Sequence, residues 1–392
     1  MEELLAKATQ ASVRGDWVLV TQYLQQWNWG GQEANLEDQA LKLALEALRQ
    51  GDFQQRWEIG KIFGKIGEKV IPPLLEILED DREEVELRWF AGRILGEFGQ
   101  PRIIFALVNL LQETEEEELA VMAAQSLANI GTPVIGVLRQ LLLQEDSRLL
   151  AVQALAQIRN TETIEPLLQV VNDPEPQIRA TAIEALGSFH DRRIVPVLLQ
   201  AVKDSSASVR KEAIIALGML KDEPLPFDLV PEFKPLLYDI SPEVCQQAAI
   251  ALGRIGTKQA AEVLFPLLKS PATPLGLKID IVRALSWNET MEALEYLGEG
   301  LRWGDPQVCH EIVTVLGRKT SPQLKAKATE ILLEFLQSGQ QAASLIQIQQ
   351  GLAMALGELG QTTALDTLQR LANHENQGVR LHAKAALRKL IH

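Results

Sequence analysis

Arg179-Ala180-Thr181-Ala182-Ile183-Glu184-Ala185-Leu186-Gly187 decides the fold, because its pattern recurs along the chain. An arginine, an Ala/Ile stretch, an apolar anchor and a small residue also follow one another in Arg88-Trp89-Phe90-Ala91-Gly92-Arg93-Ile94-Leu95-Gly96. They do so again in Arg210-Lys211-Glu212-Ala213-Ile214-Ile215-Ala216-Leu217-Gly218. Aligned on the anchor, the pattern runs through Phe63, Leu95, Leu127, Leu155, Leu186, Leu217, Leu252, Leu285, Leu316, Leu356 and Leu387. The steps between anchors range from 28 to 40 residues and mostly fall between 31 and 35. A period of that size marks stacked helical repeats and overrides the length prior, which would divide 392 residues into two or three globular domains.

Each unit reads as two helices. The first is apolar at helical spacing, as in Ile164-Glu165-Pro166-Leu167-Leu168-Gln169-Val170-Val171, and a turn such as Asn172-Asp173-Pro174-Glu175-Pro176 follows it. The second helix carries the anchor, its alanines allow close helix approach, and the glycine after the anchor relieves crowding. One pair cannot bury its own apolar stripe, so neighbours must stack. The expected fold is all-α, a right-handed α-solenoid of about eleven helix pairs over residues 37–392. Residues 1–36 do not match the unit, and two amphipathic segments there, near Leu4–Val13 and Trp17–Trp27, read as an N-terminal helical cap. The basic segment Val379–Ile391 reads as the C-terminal cap.

The arginine seven residues before the anchor recurs at Arg56, Arg88, Arg148, Arg179, Arg210 and Arg380. Asp173 and Asp204 stand six residues before two of these, where a carboxylate can cap the second helix and meet the guanidinium. This predicts an internal Asp–Arg ladder. Cys245 and Cys309 occupy the arginine slot two repeats apart, which predicts a separation on the order of 20 Å and two free thiols. Leu225-Pro226-Phe227 lengthens one connection, and the 40-residue step before Leu356 predicts longer helices around Leu332–Leu352.

The formal charge of −14 disfavours nonspecific binding to nucleic acid or anionic membrane. Two cysteines make no disulfide framework and suit a reducing cytoplasm, and no secretory leader or apolar membrane span is readable. The charge is uneven: residues 1–118 hold 23 acidic and 12 basic side chains, so the N-terminal third carries most of the excess. That region also holds most of the aromatic residues.

Catalytic and metal chemistry find little support. The glycines of Gly60, Gly64 and Gly67 repeat in phase at Gly92, Gly96 and Gly99, so helix packing explains them better than a phosphate loop. None of the five histidines stands at a metal-ligand spacing, and no metal, cofactor or catalytic residue is expected. A partner site is readable instead. Trp57 with Lys61, and Trp89 with Arg93, are i, i+4 pairs at one phase of adjacent second helices, pointing by repeat geometry to a concave surface. Val121 and Gln125 continue the strip, as do Leu149 and Gln153. Exposed tryptophan beside a cation is a hot-spot composition. The runs from Glu79 to Glu86 and from Glu113 to Glu118, the latter including Glu115, Glu116 and Glu117, fall in successive equivalent turns. Stacking predicts an acidic ridge that would speed docking of a basic partner.

The repeated segments resemble the HEAT family, in particular the HEAT-like repeats of phycobilisome chromophore lyases. The resemblance covers about residues 37–392, and overall the chain looks like cyanobacterial HEAT-repeat proteins that associate with A-type iron–sulfur carriers. The resemblance implies a non-enzymatic protein-binding scaffold whose partner carries the cluster. The alternative it implies is a subunit of a bilin lyase or isomerase acting on phycobiliproteins, with Lys61, Arg93 and Arg283 as scattered cations for the propionates.

Overall fold

The apolar anchors are where the helices of this protein meet. The structure, a computed structural model, describes residues 1–29, 34–189, 191–220, 228–303 and 305–391. Among these residues every regular element is a helix: 25 α-helices with short 3-10 turns between them and no strand. The fold is an all-α solenoid of helical repeats. Contacts divide the chain into two units, Met1–Leu186 and Gly187–His392.

In the first unit, the second helices Phe53–Ile66, Val85–Leu95, Glu117–Ile130 and Glu145–Gln157 pack each against the next. Helices such as Ile71–Glu79 and Pro101–Glu113 form the opposing layer. Glu2–Val13 and Trp17–Gln25, the two N-terminal amphipathic segments, pack on each other and on Ala34–Gln50. In the second unit, Ala207–Met219, Pro242–Ile255, Leu275–Trp287, Pro306–Leu316, Ile346–Leu359 and Gln377–Ile391 repeat the arrangement. The anchors from Phe63 to Leu356 are all fully buried. Leu387, on the last helix, is half-buried. Each buried leucine contributes about 1.5–3 kcal/mol.

Small residues set how closely these helices approach. A Cβ built on Gly253 would stand 2.6 Å from the Ala284 Cα of the next second helix. One on Gly357 would stand 2.6 Å from the Ala386 Cβ. The residue after one anchor therefore touches the residue before the next anchor, and a methyl group on the glycine has no space. We expect Gly253→Ala to lower stability by about 1–3 kcal/mol, the cost of overpacking, in chemical denaturation followed by circular dichroism. A cost within error would show that the helices can separate freely.

The ladder exists, but its connectivity differs from the expectation. Arg88 takes a carboxylate of its own turn, Asp81 at 2.8 Å, but that is not the recurring bond of the slot's guanidinium. The recurring bond goes to that turn's backbone carbonyls: Arg179 to Asp173 O at 2.8 Å, Arg210 to Asp204 O at 2.7 Å, and Arg380 to His374 O at 2.8 Å. Other rungs engage a side-chain carboxylate of the following repeat: Arg148 reaches Asp173 at 2.9 Å and Arg210 reaches Asp239 at 2.7 Å. Arg56 likewise meets Glu84 at 2.9 Å and Glu86 at 2.7 Å. The aspartate's second role is local, since Asp173, Asp204 and Asp239 each accept the N–H of the residue two positions on. Sequence spacing located the arginines, Asp173 and Asp204 but not Asp239, and stacking decided which pairs form.

Two further expectations met different outcomes. The 40-residue step does hold a longer first helix, the 16-residue Pro322–Gln337. The rest of its extra length forms a separate short helix, Gln341–Ser344, and not a long helix through Leu345. Leu225-Pro226-Phe227 lies outside the described residues. Among those residues no single helix is long and apolar enough to cross a membrane.

Burial pushes the Asp239 carboxyl up, but the Arg210 guanidinium and the Ser241 N–H outweigh it and hold it below the usual carboxylate range. A carboxylate depressed in the folded state contributes stability above its unfolded pKa of about 4, lost as pH falls through the folded value. Asp239→Asn is therefore expected to destabilise the protein at neutral pH and to flatten the decline in stability below about pH 4. Denaturant midpoints measured from pH 7 to pH 2.5 would check this; parallel curves for variant and parent would refute it.

Candidate functional site

The aromatic site begins with a helix cap. The Asp52 side chain accepts the Gln55 N–H while the Gln55 side chain accepts the Asp52 N–H, a reciprocal box that starts the helix at Phe53. Phe53 and Trp57 are then one turn apart on one face, with ring centroids 6.4 Å apart and nearly parallel planes. Phe53 is 54% exposed and lays its edge against the buried Phe90 of the next repeat, 5.3 Å between centroids. Trp89 meets Phe90 edge-on at 5.1 Å.

The cations are placed differently from the sequence pairing. The Arg93 guanidinium lies 4.1 Å above the Trp57 ring, across the repeat boundary. Lys61 points away to Glu58, 2.7 Å distant. The i, i+4 pairs thus become one inter-repeat stack of Phe53, Trp57 and Arg93, with Trp89 beside it. Trp57, Trp89, Arg93 and Val121 are half-buried, and Lys61 and Gln125 are exposed. Leu149 and Gln153 are half-buried on the helix beyond. Phe53 was not among the residues singled out from sequence, although it follows an N-cap aspartate and precedes Trp57 by four.

The two acidic runs are not equivalent. In the first, Asp80 is held by Arg82, Asp81 by Arg88, Glu83 by Arg49, and Glu84 and Glu86 by Arg56. The Arg82 bond pulls the Asp80 carboxyl down to about 2. Among the described residues Glu113 and Glu115 to Glu118 have no ion pair, and Glu115, Glu116, Glu117 and Glu118 are exposed. The unneutralised charge therefore sits on one turn and the start of one helix, Glu117–Ile130, which also carries Val121 and Gln125.

Both cysteines are buried and free. Cys245 donates its S–H to Asp239 O at 3.1 Å, the bond the ladder arginines make to their own turn, and burial pushes its thiol pKa up. Cys309 lies 3.7 Å from Leu301 O. Among the described residues no three His, Cys, Asp or Glu side chains gather as a metal ion would require.

A family model for HEAT repeats matches residues 71–156, 144–201, 164–229 and 195–276, together just over half of the chain. This chain belongs to the HEAT-repeat family. No curated protein sequence matches it. Among solved structures, Kap95p, whose binding is described as inducing the switch loops of RanGDP, is similar at a TM-score of 0.61 and 13% identity. That likeness covers 95% of this chain and 58% of Kap95p. Importin beta is similar at a TM-score of 0.56 and 14% identity, over 99% of this chain and 60% of that one. These likenesses concern the fold, and this chain spans about three fifths of either protein. Human deoxyhypusine hydroxylase is 23% identical over 66% of this chain and 96% of that one, at a TM-score of only 0.30.

The Arg93–Trp57 contact is expected to couple the first two full repeats. A double-mutant cycle with Trp57→Leu and Arg93→Gln should give a coupling energy of about 0.5–1 kcal/mol in denaturant unfolding. Additive effects would mean the stack contributes nothing to the junction.

Proposed function

We propose that this protein is a protein-interaction scaffold, and that its N-terminal unit receives a partner on the second-helix face around Phe53, Trp57, Trp89 and Arg93. The observation that carries the reading is a four-residue patch of three aromatics and one arginine, spanning two repeats and left partly open to solvent. Aromatic and arginine side chains dominate binding energy where they are buried by a partner. Val121 and Gln125 extend the face. The unpaired Glu115, Glu116 and Glu117 supply a negative field at the N-terminal end of the same helix, which favours a partner with a basic rim and acts mainly on encounter rate. Kap95p, of the same fold, is an instance of a protein binder. The cap role of residues 1–36 over an array from residue 37 belongs to this proposal too.

An A-type iron–sulfur carrier is the particular partner we propose, on the sequence resemblance alone. The partner's own cysteines would then hold the cluster, in keeping with two buried thiols in this chain. The bilin-lyase alternative needs free cations for two propionates. Lys61 is engaged by Glu58, Arg93 lies on Trp57, and Arg283 is held by Glu311 at 2.7 Å, so the scaffold reading is preferred.

Phe53→Ala combined with Trp57→Ala is expected to weaken carrier binding by about 2 kcal/mol or more, the scale of a truncated hot spot. Titration calorimetry with the purified carrier, beside thermal unfolding, separates site from core. Unchanged binding per folded molecule would remove these aromatics from the site. Glu115→Lys, Glu116→Lys and Glu117→Lys together should slow association and weaken its salt dependence while leaving dissociation nearly unchanged. Stopped-flow measurements at two ionic strengths check that outcome.

A further inference from the structure

The second unit holds a cleft where one rung of the ladder has been removed from both sides. In the rung above it, Arg210 bridges to Asp239 at 2.7 Å, six residues before the next arginine slot. That next slot holds Cys245, and the position six residues before the slot after it holds Ala272 in place of an aspartate. A thiol and a methyl cannot bridge the gap that a guanidinium and a carboxylate span. The thiol keeps only the local half of the arginine's work, its bond to Asp239 O. Between the two turns lies a cleft of about 720 Å³, with Cys245 at its base and Pro242, Pro266, Ala272, Pro274 and Leu277 among its walls.

Loss of the rung does not by itself open such a space. Ala120 with Leu142, and Cys309 with Ala343, occupy the corresponding positions at two other junctions, and there Leu142 and Ala343 are buried. At the Cys245 junction Ala272 is exposed, and two large apolar side chains stand uncovered at the rim: Tyr238 at 66% and Ile240 at 97% exposure. The charge lining the cleft has one sign. Asp239, Glu243 and Asp280 contribute to it, and no lysine, arginine or histidine does. Asp239 is committed to Arg210, and Asp280 accepts from Gln246 at 2.9 Å. Glu243 is exposed and has no ion pair among the described residues.

We propose that this cleft is a second binding site, separate from the aromatic face of the N-terminal unit, for a short basic and apolar segment of a partner protein. An apolar side chain enters between the two turns and covers Cys245 and Leu277. A lysine or arginine beside it meets Glu243, and Tyr238 and Ile240 close over the segment's flank. The apolar walls select the inserted side chain, and the unbalanced carboxylate selects the sign of its neighbour.

The probe is the capped peptide acetyl-Lys-Leu-Phe-Lys-amide, with acetyl-Glu-Leu-Phe-Glu-amide as its acidic twin, titrated into the full chain by calorimetry. The basic peptide should bind with a dissociation constant below about 1 mM, and the acidic one at least tenfold more weakly. Cys245→Arg with Ala272→Asp rebuilds the rung from the chain's own side chains and should abolish peptide binding while preserving helicity and melting temperature. Should that variant fold poorly, Ala272→Phe fills the cleft from its exposed rim and should abolish binding equally. Glu243→Lys should weaken the basic peptide about tenfold. The proposal is overturned if the basic peptide does not bind, if both peptides bind alike, or if a well-folded cleft-filling variant binds as the parent does. None of these outcomes bears on the Trp57 face, which the variants leave intact.

Discussion

Everything in this structure depends on how closely one second helix approaches the next. At Gly253 against Ala284, and at Gly357 against Ala386, the separation is one that tolerates hydrogen and not methyl on the glycine. That contact sets the position of the whole neighbouring repeat. With the helices this close, the anchors on either side are excluded from water, as the full burial of Leu252, Leu285 and Leu356 records. A wider spacing would leave voids between layers, and a void forfeits the dispersion contacts that make dense packing favourable.

The arginine ladder acts on a different coordinate. Packing of small residues determines distance, but a smooth apolar contact leaves rotation and sliding cheap. A guanidinium that holds its own turn by carbonyls and the next turn by a carboxylate restrains both, as Arg210 does between Asp204 and Asp239. Pairing across the boundary also keeps a nearly buried charge from standing alone, which would cost several kcal/mol. The substitution of Cys245 and Ala272 then has a clear meaning. It removes a restraint and a pair of charges together, and with Ala272 exposed a space stands open between the two turns.

The aromatic face shows the same coupling between repeats. Read one helix at a time, Trp57 belongs with Lys61 and Trp89 with Arg93, since four residues make one turn. In the stack the lateral neighbour is as near as the one along the helix. Arg93 therefore lies on Trp57, and Lys61 turns to Glu58. The acidic runs diverge for the same reason. Glu84 and Glu86 lie within reach of Arg56 from the repeat before, whereas the slot before Glu113 to Glu118 holds Arg88, whose guanidinium is taken by Leu78 O and Asp81. Two acidic runs in equivalent turns thus give one neutralised turn and one charged turn.

The sequence by itself determined what a period can encode: the helical class, the two-helix unit, the buried anchor and the small residue that follows it. These depend on spacing along the chain, and local backbone geometry converts spacing into a face. It also located Trp57, Trp89, the acidic runs and the cysteine slots. Tertiary structure decided every relation between residues about thirty positions apart: which carboxylate each arginine meets, which tryptophan Arg93 covers, that Phe53 joins the aromatic stack, and that Cys245 and Ala272 face a common gap. Such pairings depend on the offset and rotation between stacked helices. Those are properties of packed side-chain volumes, and a linear spacing does not contain them.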